Sequence, residues 1–233
     1  MRTRDFYWII VPAVFVAAYT YTGIFAWDHL FYVLVRVQGH VLIAMPPHWP
    51  TYYNTLNGPV SSIFLSNFIY DGVSNTWIFG IYLVIFILTN VEVSNRSAKG
   101  VFLVAGSLLS AFIAGGFLRF FLTPGQFGYG ESAVLAGFSG IVVYFLVENL
   151  LVEGTRKRIV NEPIEGAGYV ALAIIGMGFL GVFFLVSSTV VIVHGSAMAS
   201  GIVLAGMFSF AMRKRDRTRN RKTAILIPEK VRA

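Results

Sequence analysis

The sequence predicts an all-α integral membrane protein, and three observations support that fold class. Of the 233 residues, 56% are hydrophobic and only 12% are charged, which is far more apolar than a typical soluble domain. The apolar residues occur in continuous runs, without the alternation typical of membrane β-barrel strands. Lys and Arg gather at the ends of these runs. Only helices and closed barrels satisfy every backbone polar group in lipid, so we expect the runs to be helices.

Six runs are long and apolar enough to cross a bilayer, since about 20 residues span its hydrocarbon core. They are residues 6–26, 73–90, 101–122, 134–152, 169–187 and 189–212. The first run follows two arginines but is too long for the apolar region of a signal peptide, so we expect a retained anchor. We therefore predict a six-helix membrane domain over residues 1–212.

The positive charges predict the orientation, because cytoplasmic connections are rich in Lys and Arg. Basic residues precede the first run and follow the second, fourth and sixth: Arg2, Arg4, Arg96, Lys99, Arg156, Lys157, Arg158 and seven of the ten residues 213–222. Both termini are therefore predicted to be cytoplasmic in a multi-pass protein of the cell membrane. Residues 213–233 form a basic tail suited to anionic lipid. Because the net charge of +7 sits at span ends, we do not expect nucleic-acid binding.

Residues 29–45 are apolar but carry Arg36, Gln38 and His40 at their centre. If this segment crossed the membrane, the basic termini would lie on opposite sides, against the charge pattern. We therefore predict that it is an amphipathic part of a long first loop, residues 27–72, in the outer interface. Four aromatic residues of this loop suit headgroup depth: Trp27, Trp49, Tyr52 and Tyr53.

Two polar side chains inside the predicted spans indicate a functional site. His194 is the one ionisable residue well inside a run, and burying such a group without a partner costs several kcal/mol. Ser139 lies between glycines in the fourth run. Each is five residues beyond the outer start of its run, about 7–8 Å deep. The topology thus predicts a hydroxyl and an imidazole at one depth, near the outer surface.

Small residues beside both side chains predict that their helices meet closely. They are Gly137 and Gly140 in the fourth run and Ala197 and Gly201 in the sixth. A serine becomes a nucleophile when a neutral imidazole within hydrogen-bond reach takes its proton. We therefore predict a catalytic pair of Ser139 and His194. The alternatives are a serine bonded to its own helix and a histidine with a structural or proton-relay role.

This combination resembles the rhomboid family of intramembrane serine proteases. The resemblance rests on G-x-S-G at residues 137–140, on "HGSAMASGIVLAG" from His194, on six spans and on the long first loop. It implies that Ser139 is the nucleophile and His194 the general base. It also implies that the substrates are transmembrane helices of other membrane proteins, cleaved near their outer ends, with no cofactor and no metal.

The second run departs from the family pattern. Rhomboids carry there a histidine and, four residues later, an asparagine that donate hydrogen bonds to the oxyanion, whereas this chain has Asn75 and Phe79. The predicted oxyanion donors are therefore the Asn75 amide and the backbone N–H of Ser139. The family's usual tyrosine four residues after the serine is replaced by Val143.

Other function classes are weighed against this hypothesis. A catalytically weak or inactive rhomboid-like protein that binds transmembrane helices is favoured by the departures in the second run. A transporter or channel would carry polar residues at the bilayer midplane and broken helices in matching halves. A zinc protease would need a motif such as H-E-x-x-H, which is absent from the sequence. An aspartyl protease would need two intramembrane aspartates, whereas Asp71 alone lies near a run.

Overall fold

The computed structural model describes residues 6–21, 33–37, 40–44, 54–55, 60, 63, 73–90, 95–120, 127–128, 132–151 and 188–226. Within these ranges the chain forms five α-helices and two short strand pairs. The predicted fifth span, residues 169–187, and most of the first loop lie outside the described residues.

The helices lie over the other five predicted runs. They are α1 (Tyr7–Tyr21), α2 (Val73–Asn90), α3 (Arg96–Leu118), α4 (Ser132–Leu151) and α5 (Ser188–Leu226). Three stretches among the described residues are long and apolar enough to cross a membrane: Arg96–Leu118, Ser132–Leu151 and Val191–Arg215. α1 and the Trp77–Asn90 part of α2 are shorter apolar helices. This helical architecture is compatible with an α-helical membrane protein, as the composition predicts.

Two short antiparallel strand pairs add to the helices. β1 (Val33–Val37) pairs with β2 (His40–Ala44) inside the segment predicted to be amphipathic. Its β-branched residues alternate with others, a pattern that favours a strand over a helix. β3 (Asn54–Thr55) pairs with β4 (Phe127–Gly128), which joins the first loop to the connection between α3 and α4.

Contacts near the first helices establish their directions. α1 and α2 run antiparallel, because the Trp8 and Phe86 ring centroids are 6.4 Å apart and those of Phe15 and Phe79 are also 6.4 Å apart. α3 begins beside the start of α1. A Cβ added to Gly100 would lie 2.6 Å from the Trp8 Cα, so a side chain at Gly100 would separate the two helices.

α4 runs antiparallel to α3 and parallel to α5. Lys99, near the start of α3, contacts Glu148, near the end of α4. Gly137 and Gly140 of α4 meet the earlier part of α5 at Gly201 and Met198, whereas Glu148 near the end of α4 bonds to the later Arg213. The end of α4 and the start of α5 therefore lie at opposite ends of the bundle.

α4 is the central helix of the described bundle. Each of its residues from 132 to 142 is buried, and the stretch is apolar or small on every face. A helix that is apolar on every face belongs in an interior. A helix that is apolar along one stripe buries that stripe and exposes its other faces. Its fully buried large side chains are Val134, Leu135, Phe138, Ile141, Val142 and Phe145.

Glycines bring the backbones of α4 and α5 into contact. A Cβ added to Gly140 would overlap the carbonyl oxygen of Met198, and one added to Gly201 would overlap that of Gly137. Gly137 also faces α3, where an added Cβ would be 2.6 Å from the Cβ of Ser110. Because these glycines have no side chains, α4 can contact both α3 and α5 at the same level of the bundle.

Glu148 joins the helices at the other end of the bundle. Its Oε2 accepts hydrogen bonds from Lys99 Nζ at 3.0 Å and Ser209 Oγ at 3.1 Å, and its Oε1 accepts one from Arg213 at 2.7 Å. Lys99 also donates to Asn149 Oδ1 at 3.3 Å, and the Asn149 amide donates to a backbone carbonyl of α2. These five residues, the Glu148 cluster, connect α2, α3, α4 and α5.

α5 continues beyond the predicted span. The sequence predicts that the sixth span ends at residue 212, but the helix extends to Leu226 and has 39 residues. At that length it is about 58 Å long, nearly twice the thickness of a bilayer's hydrocarbon core. The first residues of the basic tail are therefore helical and continue the line of the span.

Gly201→Ala is expected to destabilise the protein, because the added methyl group would overlap the Gly137 carbonyl oxygen. Overpacking of this kind costs about 1–3 kcal/mol. Gly116→Ala is the matched control, since a Cβ there meets nothing within 4 Å and alanine favours a helix more than glycine does. Thermal unfolding in detergent should give a lower midpoint for Gly201→Ala than for the control. Equal midpoints would contradict the close contact.

Glu148→Gln is expected to destabilise the protein by about 3–5 kcal/mol, because it leaves a buried Lys99 without its counter-charge. The side chains of Lys99 and Glu148 are only 7% and 9% exposed. Arg213→Gln is the matched control, since Arg213 is 63% exposed and exposed pairs contribute about 1 kcal/mol or less. Denaturant titration in detergent measures both. A loss for Arg213→Gln as large as that for Glu148→Gln would argue against this account.

Candidate active site

Ser139 is the eighth residue of α4 and has no exposed surface. Its Oγ donates a hydrogen bond to the carbonyl oxygen of Ala136 at 2.8 Å. Serines in transmembrane helices commonly satisfy their hydroxyl by such a bond to the preceding turn. In this arrangement the hydroxyl proton points into its own helix.

Tyr82 of α2 is the side chain that meets Ser139 from the neighbouring helix. It is fully buried, and its hydroxyl lies near the Ser139 side chain. One turn earlier on α2, the Phe79 ring lies 5.4 Å from that of Phe138, edge to face. α2 and α4 are thus in direct contact beside Ser139.

His194 is buried on α5, with 7% of its surface exposed. It is one helical turn, about 6 Å, before Met198, the residue whose carbonyl lies against Gly140. Residues four apart share a face of a helix. His194 therefore lies on the face of α5 that packs toward α4, about one turn from the level of Gly140.

Ser139 and His194 are thus buried on two helices whose backbones touch. Counted along each helix, Ser139 follows the start of α4 by seven residues and His194 follows the start of α5 by six. A hydrogen bond between Ser139 and His194 requires the Ser139 side chain to rotate away from the Ala136 carbonyl oxygen into another staggered rotamer. The Ser139–His194 hydrogen bond remains a prediction.

The predicted oxyanion donors differ in how they are held. Asn75 lies in the first turn of α2, and its side chain lies outside the described residues. Ser139 follows the first four residues of α4, the ones whose N–H groups lack a partner within a helix. Its N–H is therefore engaged in the helix's own hydrogen bonding. For that N–H to bind an oxyanion, the first two turns of α4 would have to open.

The predicted packing residues lie at helix contacts. Gly137 and Gly140 touch the backbone of α5, and Gly201 touches that of α4. Ala197 is fully buried and packs with Ala136 of α4 and with Ala114 of α3. The small residues thus bring three helices together around the level of Ser139.

Sequence reasoning did not single out Tyr82, although one signal could have done so. A buried tyrosine hydroxyl usually finds a hydrogen-bond partner, and the apolar second span holds few side chains able to satisfy it. Which helix supplies that partner depends on the packing of α2 against α4, and hydropathy carries no information about that.

Among the described residues, no three His, Asp, Glu or Cys side chains are grouped so that they could hold a metal ion. No protein-family model, curated protein or solved structure matches the chain. The fold is compatible with an α-helical membrane protein, and the site consists of a buried serine and a buried histidine on touching helices. Any function must be argued from that geometry.

Proposed function

We propose that this protein is an intramembrane serine protease of the rhomboid type, with Ser139 as nucleophile and His194 as general base. One observation carries the proposal. The two residues are buried on α4 and α5, whose backbones touch through Gly137, Gly140 and Gly201. Burying a polar pair among apolar helices costs free energy, so such residues usually have a functional role. Activation of a hydroxyl by an imidazole is such a role.

The helix directions support the proposed topology of six spans with both termini cytoplasmic. The start of α1, the end of α2, the start of α3 and the end of α4 meet at one end of the bundle. Arg96, Lys99 and Arg213 lie at this same end, as the positive-inside rule requires of a cytoplasmic side. Because α4 and α5 run parallel, a further crossing between them completes the six.

The chemistry follows from the pair. The imidazole of His194 takes the hydroxyl proton as Ser139 Oγ attacks the carbonyl carbon of the scissile peptide. The resulting imidazolium gives that proton to the departing amine, and water then hydrolyses the acyl-enzyme by the same route. No metal or cofactor is needed for either step.

Both Ser139 and His194 lie about 9–11 Å from the N-terminal ends of their helices, which in this topology are the outer ends. The substrates are accordingly transmembrane proteins cleaved near the outer end of a helix. The peptide must be locally unwound there, because a carbonyl within an intact helix is hydrogen-bonded to the following turn.

The proposed setting is the cell membrane, with the bilayer as a partner at both surfaces. Arg213, Lys214 and Arg215 are exposed at the end of the apolar stretch of α5. Basic residues in this position attract anionic lipid, and the attraction falls off within about 10 Å of the surface. The lipid contact is therefore assigned to the first turns of the basic segment.

A rhomboid-like protein that binds transmembrane helices without cutting them is the second candidate. The observation that favours it is the satisfied state of Ser139, which is fully buried and donates its hydroxyl proton to the Ala136 carbonyl oxygen. Phe79 adds to this, because an apolar ring packed on Phe138 stands where rhomboids carry an oxyanion donor.

Ser139→Ala is expected to lower cleavage of a transmembrane substrate in detergent by about three orders of magnitude or more, because the nucleophile is lost. Ser110→Ala is the matched control. Ser110 is also a fully buried serine bonded to its own helix, with its Oγ 2.7 Å from the Gly106 carbonyl oxygen, but it faces no imidazole in the proposed mechanism. It should cleave at close to the wild-type rate.

Reaction with an alkyl fluorophosphonate separates the two candidates. A protease should be labelled at Ser139, more slowly in His194→Ala and not at all in Ser139→Ala. Cleavage by Ser139→Ala equal to wild type would refute the proposal. Helix binding by a protein that neither cleaves nor is labelled would establish the second candidate instead.

A further inference from the structure

Two residues of α5 donate hydrogen bonds to Glu148, at the opposite end of the bundle from the proposed site. Ser209 Oγ donates to Glu148 Oε2 at 3.1 Å, and Arg213 donates to Oε1 at 2.7 Å. α4 therefore carries both Ser139 and an acceptor for α5, and α5 carries both His194 and the donors to that acceptor. The same two helices thus form the proposed site and the α5 contacts of the Glu148 cluster.

The glycine contacts hold α4 and α5 close together without fixing the rotation of either helix about its axis. Gly140 lies against the Met198 carbonyl oxygen, and Gly201 lies against that of Gly137. A glycine has no side chain that could interlock with the facing helix, so these contacts limit the separation of the helices more than their rotation. A hydrogen bond is directional, because it weakens steeply as its angle closes. Side-chain hydrogen bonds between the two helices are therefore suited to fix that rotation.

Ser209 is the better held of the two donors. It is 5% exposed and its acceptor Glu148 is 9% exposed, so water competes little for their hydrogen bond. Arg213 is 63% exposed, and solvent and salt weaken such a pair. Glu148 is also held from α3, because Lys99 Nζ donates to the same Oε2 at 3.0 Å. The Ser209 bond thus joins α5 to a carboxylate whose position α3 already fixes.

Ser209 and His194 lie on the same side of α5. They are a little over four turns apart, which places them about 60° from each other around the helix axis. Met198 falls between these two directions, and its carbonyl oxygen lies against Gly140 of α4. The rotation of α5 that turns Ser209 toward Glu148 therefore also turns His194 toward α4.

We propose that Ser209 is a positioning residue of the proposed protease. Its bond to Glu148 fixes the rotation of α5 and so directs the His194 imidazole at Ser139. This inference rests on the proposed protease function. A side chain lies about 6 Å from its helix axis, so a rotation of about 10° moves it by about 1 Å. A misplacement of that size can cost about a hundred-fold in rate. Ser209 lies about 22 Å from His194 along α5 and acts only through it.

Ser209→Ala tests the inference, because it removes the hydroxyl and keeps every glycine of the helix contact. We expect kcat for a transmembrane substrate in detergent to fall by about ten- to a hundred-fold with KM unchanged, since the base is misplaced and substrate binding is not touched. Ser196→Ala is the matched control. Ser196 is a serine of α5 much nearer to His194, but its Oγ bonds to the Val193 carbonyl oxygen of its own helix at 3.0 Å. Its removal should leave kcat near wild type.

The time course of fluorophosphonate labelling separates positioning from a merely structural role. Misplacement of His194 lowers the rate constant of labelling in Ser209→Ala while all of the protein is finally labelled. A smaller labelled fraction that forms at the wild-type rate would overturn the inference, because it reports loss of folded protein only.

The outcomes also separate this inference from the proposed function. Wild-type kcat in Ser209→Ala, with activity lost in Ser139→Ala, would overturn the role of Ser209 and keep the protease. Equal losses of kcat in Ser209→Ala and Ser196→Ala would do the same, since the bond to Glu148 would then have no special effect. Absence of cleavage and of labelling in the wild-type protein would overturn both.

Discussion

The contact between the backbones of α4 and α5 is the constraint on which the rest of the site depends. Gly140 lies against Met198, and Gly201 lies against Gly137. Side chains at these positions would hold the helices apart, and the buried serine and histidine would then face separate surroundings. The glycines beside Ser139 therefore have a packing role. They weaken the helix slightly, but they allow three helices to meet at one level.

The opposite end of the bundle is held by charge rather than by close backbone contact. Glu148 accepts hydrogen bonds from residues of α3 and α5, and Asn149 reaches α2. Opening this end would separate the buried charges of Lys99 and Glu148 from each other, at a high cost. The Glu148 cluster thus fixes the helices at the end where the basic residues gather, while the proposed site lies toward the other end.

Much of the helical fold follows from the sequence, because lipid permits few structures and apolar runs reveal them. α2 begins and ends at the predicted residues 73 and 90. Hydropathy identifies only the part of a helix that can cross lipid, so the predicted last span ends at Met212. The Lys and Arg residues that follow also favour a helix, and the helix continues through them. Hydropathy alone does not distinguish the β1–β2 hairpin from an amphipathic helix. The alternation of its β-branched residues is the signal for a strand. The contact of Phe79 with Phe138 depends on which face of α2 meets α4, and a single sequence does not reveal that.

The proposed protease depends on activation of the Ser139 hydroxyl by the imidazole of His194. The most direct test is an experimental structure of the wild-type protein after reaction with an alkyl fluorophosphonate. The account predicts a phosphorus–oxygen bond to Ser139 Oγ, with a His194 ring nitrogen within about 2.6–3.2 Å of that oxygen. An unmodified Ser139 still donating to the Ala136 carbonyl, with the imidazole bonded elsewhere, would contradict it.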